Sequence, residues 1–329
     1  MSVSRALRGP KGVTAETRER VLKAAQELDY RPNPILSALS SYRQRLHQPR
    51  NFSQIAFVTN FKTELGWQKL TWVNNYFLGA QERGRQLGYD VVNFWLKENG
   101  MNQSRASEVL YHRGIKGLIL PPFPPARTRA HLKLDWDRFS SVVLGYWLAK
   151  PNLHLVAQDH HMAGLMACHQ LRRLRFRRIG LAMWAGNSIR ETHTLLDAYY
   201  GEQQRFPQTG SLPPFLWHHF EQEFKRFQAW FSQHQPDVLL TNGAGELPGA
   251  IARLSKAAWR KTPVAYTALG ENDPAEWPGV RHNMKMTGYK AVDELHLLLT
   301  RGETGIPQGR TCNLIEGFWQ APSGFGKGG

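Results

Sequence analysis

The sequence predicts an α/β protein of two similar lobes, each a parallel sheet with helices on both faces, behind a short basic helical segment. Three observations lead to this fold class. From Gln54 onward, short apolar runs alternate with amphipathic helical patterns. That alternation runs through twice. Before Gln54, the patterns are helical and are broken by prolines.

In chain order, Ser2–Arg8 reads as a short helix with Val3, Ala6 and Leu7 on one face, ended by Gly9-Pro10. Thr14 is a suitable N-cap, and Val21, Ala24, Ala25 and Leu28 then form one face of a helix to about Asp29. Pro32 and Pro34 break the chain. Pro34 to about Leu46 is a third helical stretch with few apolar residues, marginal by itself in water. His47–Ser53 reads as a linker. The first series then predicts strand Ile55–Thr59, helix Trp72–Leu87 stopped by Gly88, strand Tyr89–Phe94, helix Ser104–Arg113, and strands Gly117–Leu120 and Ser141–Leu144. The second predicts helix His161–Leu174, strand Ile179–Met183, helix Glu191–Gln204, helix Phe220–His234, strand Val238–Thr241, helix Glu246–Lys256 and strand Val264–Thr267. Helix Thr287–Thr300 and the apolar stretch Cys312–Ile315 follow. The domains expected are 1–33, 34–52 and 53–329.

With 329 residues the chain has length for two or three domains, each with a real core. Its 11 Trp, 16 Phe and 10 Tyr argue against disorder. Cys168 and Cys312 are too few for a disulfide scaffold or a Cys-rich zinc site and fit a reducing cytosol. No apolar run approaches the ~20 residues of a membrane span, and no signal peptide is readable after Met1, so a cytoplasmic location is expected. The 42 Lys+Arg against 26 Asp+Glu give a net charge of +16, which makes nucleic acid the first partner to consider. Residues 1–50 hold ten Lys/Arg and four Asp/Glu, so positive charge is densest there. A second basic run, Arg172-Arg173-Leu174-Arg175-Phe176-Arg177-Arg178, reads as a solvated helix end whose cations complement the macrodipole.

The N-terminal residues Val3-Ser4-Arg5-Ala6-Leu7-Arg8-Gly9, Val13-Thr14-Ala15-Glu16-Thr17-Arg18-Glu19-Arg20-Val21 and Leu28-Asp29-Tyr30-Arg31-Pro32-Asn33-Pro34 resemble the DNA-binding headpiece of the lactose-repressor (LacI/GalR) family of bacterial regulators. The remainder is similar to that family's two-lobed, periplasmic-binding-protein-like effector domain, through Asp159-x4-Gly164, Arg177-Arg178-Ile179-Gly180-Leu181 and Pro236-Asp237-Val238-Leu239-Leu240. The resemblance implies a partial helix-turn-helix headpiece, a hinge helix at Pro34–Leu46 and a dimeric, ligand-responsive regulator on a palindromic double-stranded operator. DNA contacts are implied from Ser2, Ser4, Arg5, Arg8, Thr14, Tyr30, Asn33, Leu39 and Arg43. Arg5 suits a bidentate bond to guanine. Leu39 matches a hinge leucine that wedges into the minor groove, the other reading being a leucine packed in its own chain. Ser40 stands where a basic residue is common. Met1 falls almost at the recognition helix, so the family's first helix is expected either upstream in a longer reading frame or missing from a truncated chain, which would bind DNA poorly.

Two lobes place a ligand site between them, at the C-terminal ends of strands. That points to Asn60, Phe61, Phe123, Tyr146, Trp184, Asn242 and Glu271, with Trp67 and Trp72 near the first crossover. Aromatic faces with carboxylates or amides suit a carbohydrate, and several of these aromatics are equally read as core or dimer surface. The resemblance adds Asp159, with Asn242, as effector-facing. It also implies an arginine near Thr194 or Leu195, where Arg190 is the nearest, and an aspartate at Gly270, where Glu271 follows. Repression of carbohydrate-related genes is the implied role.

Enzyme motifs do not assemble. Gly243-Ala244-Gly245-Glu246-Leu247-Pro248-Gly249 has GxGxxxG spacing, not GxGxxG, and reads as a turn; GxxxxGK[ST] and GxSxG are absent. Asp159, His160, His161 and His169 read as ordinary polar groups, since His161 and His169 lie two helical turns apart. No catalytic residue, metal or cofactor is expected. The competing function is a sugar-binding module whose headpiece is non-functional.

Overall fold

A computed structural model describes residues 14–27, 53–123, 130–185, 189–206, 211–242 and 262–326. The expected helices at Ser2–Arg8, Pro34–Leu46 and Glu246–Lys256 lie outside them. The described N-terminal helix, α1 (Ala15–Glu27), follows its expected cap: the Thr17 amide donates to Thr14 Oγ1 at 3.3 Å. No residue of α1 is buried.

The first lobe contains β1 (Ser53–Thr59), α2 (Thr71–Leu87), β2 (Tyr89–Trp95), α3 (Gln103–His112), β3 (Gly117–Leu120), β4 (Ala130–His131), β5 (Ser140–Leu144), β6 (Leu148–Lys150) and β7 (His154–Gln158). The second contains α4 (His160–Arg173), β8 (Ile179–Trp184), α5 (Ile189–Arg205), β9 (Phe215–Trp217), α6 (Phe220–His234), β10 (Val238–Thr241), β11 (Val264–Leu269) and β12 (Gly279–Arg281). Then α7 (Met284–Arg301), β13 (Cys312–Ile315) and β14 (Phe318–Gln320) close the chain. One six-stranded sheet runs β13-β7-β5-β3-β1-β2 and is parallel throughout. The other runs β14-β12-β11-β10-β8-β9 and is parallel except at β14.

Among the described residues the predicted helices and strands are present. Gly88 ends α2 at φ 82°, and Asn102, Asp159 and Asn283 each accept a backbone amide from the first turn of α3, α4 and α7 at 2.8–2.9 Å. Capped by Asn283, α7 starts at Met284, three residues before the expected Thr287. The strands His154–Gln158, Phe215–Trp217, Gly279–Arg281 and Phe318–Gln320 were not expected from sequence, because three to five residues carry too little periodicity to separate strand from loop.

The lobes are also not successive halves of the chain. After β12 the chain returns to the first lobe as α7 and β13, then re-enters the second as β14. It therefore crosses between lobes three times, and the crossings touch: the Asp159 amide donates to the Ile315 carbonyl at 3.0 Å, and Gln158 Nε2 donates to the Asn283 carbonyl and to Thr287 Oγ1.

The strand period of two sorts each sheet's residues into two cores. Ala56, Val58, Leu118 and Leu120 face α3, while Ile55, Phe57, Ile119 and Val142 face α2 and α7. In the second lobe Leu181, Met183 and Leu240 face α4 and α5. Ala182 and Leu239 face the aromatic residues Phe215, Trp217, Phe220, Phe227 and Trp230. Helices α2 and α7 meet backbone to backbone. A Cβ on Gly79 would lie 1.9 Å from the Lys285 carbonyl oxygen, and one on Gly288 would lie 1.9 Å from that of Tyr76. Only glycine admits that approach.

Candidate functional site

The C-terminal ends of the two parallel sheets meet across the lobes, and one face of α2 carries Trp72, Asn75 and Tyr76 there at helical spacing. From the second lobe Glu271, just beyond β11, reaches across. Its Oε2 accepts from Asn75 Nδ2 at 2.8 Å and its Oε1 accepts from the Lys285 amide at 2.8 Å. Glu271 thus ties α2 to the start of α7. Beside it, His160 opens α4 with its ring 5.1 Å from that of His282 and 6.3 Å from that of Tyr146. His160 Nε2 lies 3.7 Å from Glu191 Oε1, on α5. Trp72 meets Tyr76 edge-on at 6.0 Å and is exposed at the rim.

Electrostatics follow from burial. Tyr76 is buried, and burial drives its phenol well above the ordinary range, with the Glu191 and Glu271 carboxylates pushing the same way. It therefore stays a neutral hydroxyl. Burial lowers His160 to about 4, although the Asp159 carboxylate opposes this. His282 falls to about 3, mainly through burial, with His160 adding to the effect and the Thr267 carbonyl opposing it. At neutral pH both imidazoles are uncharged, each with one donor and one acceptor nitrogen. Neutral imidazoles, a phenol, an amide and two carboxylates make a hydrogen-bonding array for a polar ligand.

Of the residues expected at the site, Trp72, Tyr146 and Glu271 fall in this group, and Asp159 adjoins it as the α4 cap. Asn60 follows β1 half-buried at the same edge. Phe61 and Trp67 are instead core residues. Trp67 is 1% exposed, packed 5.6 Å from Phe57 and 4.7 Å from Phe77, and Phe61 is buried in the same cluster. Phe123 is buried 4.3 Å from Trp147 on the opposite face of the sheet. Aromatic bulk near a crossover went to filling the space under the loops, the commoner fate of such residues. Asn242 uses its amide to bind the Trp184 backbone, accepting from its N–H at 2.9 Å and donating to its carbonyl at 3.0 Å, so it clasps β10 to β8. Trp184 Nε1 donates to the His218 carbonyl. The Arg190 side chain lies outside the described residues, as do Ser2, Ser4, Arg5, Arg8, Tyr30, Asn33, Leu39 and Arg43. Asn75, Tyr76, His160, Glu191 and His282 were missed. The Trp72-x2-Asn75-Tyr76 spacing on one helix was the available signal.

Among the described residues, no group of three or more His, Cys, Asp or Glu side chains could hold a metal ion. His161 and His169 face different partners, the Thr194 carbonyl and Glu202. No described helix is long and apolar enough to cross a membrane.

Residues 1–33 match the model of the lacI family of bacterial regulatory proteins. A search of curated proteins found no match. Solved structures give a fold likeness. The Lac repressor bound to ONPG is 17% identical with a TM-score of 0.55, over 97% of this chain and 93% of that one. The transcriptional regulator CelR with cellobiose is 17% identical with a TM-score of 0.54, over 97% and 94%. The Cra dual regulator of Pseudomonas putida with fructose 1-phosphate is 13% identical with a TM-score of 0.54, over 83% and 100%. These likenesses are likenesses of fold. The chain joins an N-terminal segment that matches the lacI family of bacterial regulatory proteins to the two-lobed, periplasmic-binding-protein-like fold of lacI-type regulators.

Proposed function

We propose that the chain is a ligand-responsive transcriptional repressor that binds a palindromic operator as a homodimer and takes a small carbohydrate in the interlobe cleft. The observation that carries this reading is the Asn75–Glu271 bridge beside Tyr76, His160 and His282. It gathers polar groups from both lobes at the strand ends, where a ligand would bear on both at once. Hydroxyl-rich ligands fit, because Glu191 and Glu271 accept and Tyr76 and the neutral imidazoles donate. The relatives solved with ONPG, cellobiose and fructose 1-phosphate support a sugar-like ligand. On this reading the ligand competes for Asn75 and Glu271, resets the lobes and alters the presentation of the headpiece, coupling cleft to DNA.

DNA contacts are assigned to Ser2, Ser4, Arg5, Arg8, Thr14, Tyr30, Asn33, Leu39 and Arg43. Selection of bound sequences from a random duplex pool by the full chain, followed by titration with a sugar panel, tests the whole reading. A palindromic consensus whose affinity shifts with one sugar is expected. Sugar binding without sequence preference would leave a ligand-binding module with a non-functional headpiece.

A further inference from the structure

The basic run at the end of α4 divides by role. Arg172 lies 3.9 Å from the buried Glu202, with its guanidinium 4.4 Å over the Phe206 ring. Arg178 donates to the His234 and Gln235 carbonyls at the end of α6, so it answers the helix terminus. Asp237, the neighbouring carboxylate, accepts the backbone amides of Arg177 and Arg178 at 3.0 Å each. That leaves the side chains of Arg173, Arg175 and Arg177. All three are exposed, and none forms an ion pair with a carboxylate among the described residues.

Arg175 is also unusual in its backbone. It closes α4 at φ 67°, with its amide on the Arg172 carbonyl at 2.9 Å and the Phe176 amide on the Leu171 carbonyl at 3.1 Å. This is the Schellman arrangement, whose left-handed residue is ordinarily glycine. An arginine there holds a cation at a backbone position that penalises its Cβ. Placement matters as well. Ile179 and Val238 begin parallel strands, so these arginines sit on the second lobe's edge facing away from the cleft. Ser53 begins β1 on the first lobe's outer edge, where the N-terminal segment arrives. The arginines and the start of β1 thus lie on the outer edges of different lobes.

We infer that Arg173, Arg175 and Arg177 form a second, sequence-independent DNA contact, which binds the phosphate backbone and lets one chain touch two DNA segments. Between these arginines Phe176 is buried and Leu174 half-buried, and the exposed Phe206 ring lies under Arg172, so the patch is charge without an exposed apolar centre. That composition suits phosphates better than a protein interface.

The test is the salt dependence of full-chain binding to a mixed-sequence duplex without a palindrome. Compared are the parent, Arg175→Gly, and the triple variant Arg173→Ala, Arg175→Gly, Arg177→Ala. Each phosphate contact adds about 0.9 to the slope of log affinity against log salt, so the triple variant loses about 2.7 and the single variant about 0.9. Between about 50 and 200 mM salt the parent then loses about 40-fold more affinity than the triple variant. Equal slopes would overturn the proposal. Arg175→Gly places glycine where the backbone prefers it, so it decides the matter even if the triple variant folds poorly. The difference must persist in an Arg5→Ala, Arg8→Ala background, which disables the headpiece; its disappearance there would also overturn a separate site. Binding of polyglutamate in place of duplex would reassign the patch to an acidic protein.

Discussion

One face of α2 makes two contacts a turn apart, and they are built on opposite principles. At Gly79 the helix meets α7 backbone to backbone, and no side chain intervenes that could adjust. At Asn75 it meets the second lobe through a hydrogen bond to the Glu271 carboxylate, which a ligand or water can replace at little cost. The first contact fixes α7 on the first lobe. The second is the exchangeable one, and the lobe movement proposed above needs both.

Substitutions should separate them sharply. Gly288→Val drives a branched Cβ into the Tyr76 carbonyl and should cost at least about 3 kcal/mol in denaturant unfolding. Parent-like stability would show that the joint is not tight. Acid should act next, and on the cleft. His282 binds its proton more readily unfolded, near 6.5, than folded, near 3. Its contribution is therefore complete above about pH 6.5 and lost as pH falls toward 3, at up to about 1.4 kcal/mol per pH unit. His282→Gln should flatten that part of the stability profile, and an unchanged acid slope would refute the assignment. Asn242→Ala removes both bonds of the β8–β10 clasp and should cost about 1–2 kcal/mol in the same unfolding assay. Glu271→Gln, at the exchangeable contact, should cost about 1 kcal/mol or less, yet weaken ligand binding measured by calorimetry. Comparably small and opposite in sign, Arg175→Gly should raise stability by about 1 kcal/mol, read as a higher melting temperature.

The same contrast explains what was legible in the sequence. Helices bounded by Gly88, Asp159 or Asn283, and strands such as Val238–Thr241, carry their own local signals. Gly279–Arg281 and Phe318–Gln320 become strands only because a neighbour pairs with them, and pairing is not local information. The return of α7 and β13 to the first lobe is likewise a property of the assembled sheets, since helical periodicity does not name the sheet a helix covers. In the candidate cluster, Tyr146 and Glu271 follow strand ends, so their position could be read from sequence. That of Tyr76 and His282 could not, because which face of α2 meets the cleft depends on where Gly79 and Gly288 seat it. Trp67 misled for the same reason: its bulk fills the space beneath the first crossover.

Under the proposed function, occupation of the cleft and affinity for DNA are one linked equilibrium. The direct measurement is the operator dissociation constant of the full chain, with and without saturating sugar, for the parent and for Glu271→Gln. A sugar-dependent change of about 5- to 150-fold is expected for the parent, and a much smaller one for Glu271→Gln with its sugar-free affinity unchanged. A sugar that binds the parent tightly and leaves its operator affinity the same would contradict it.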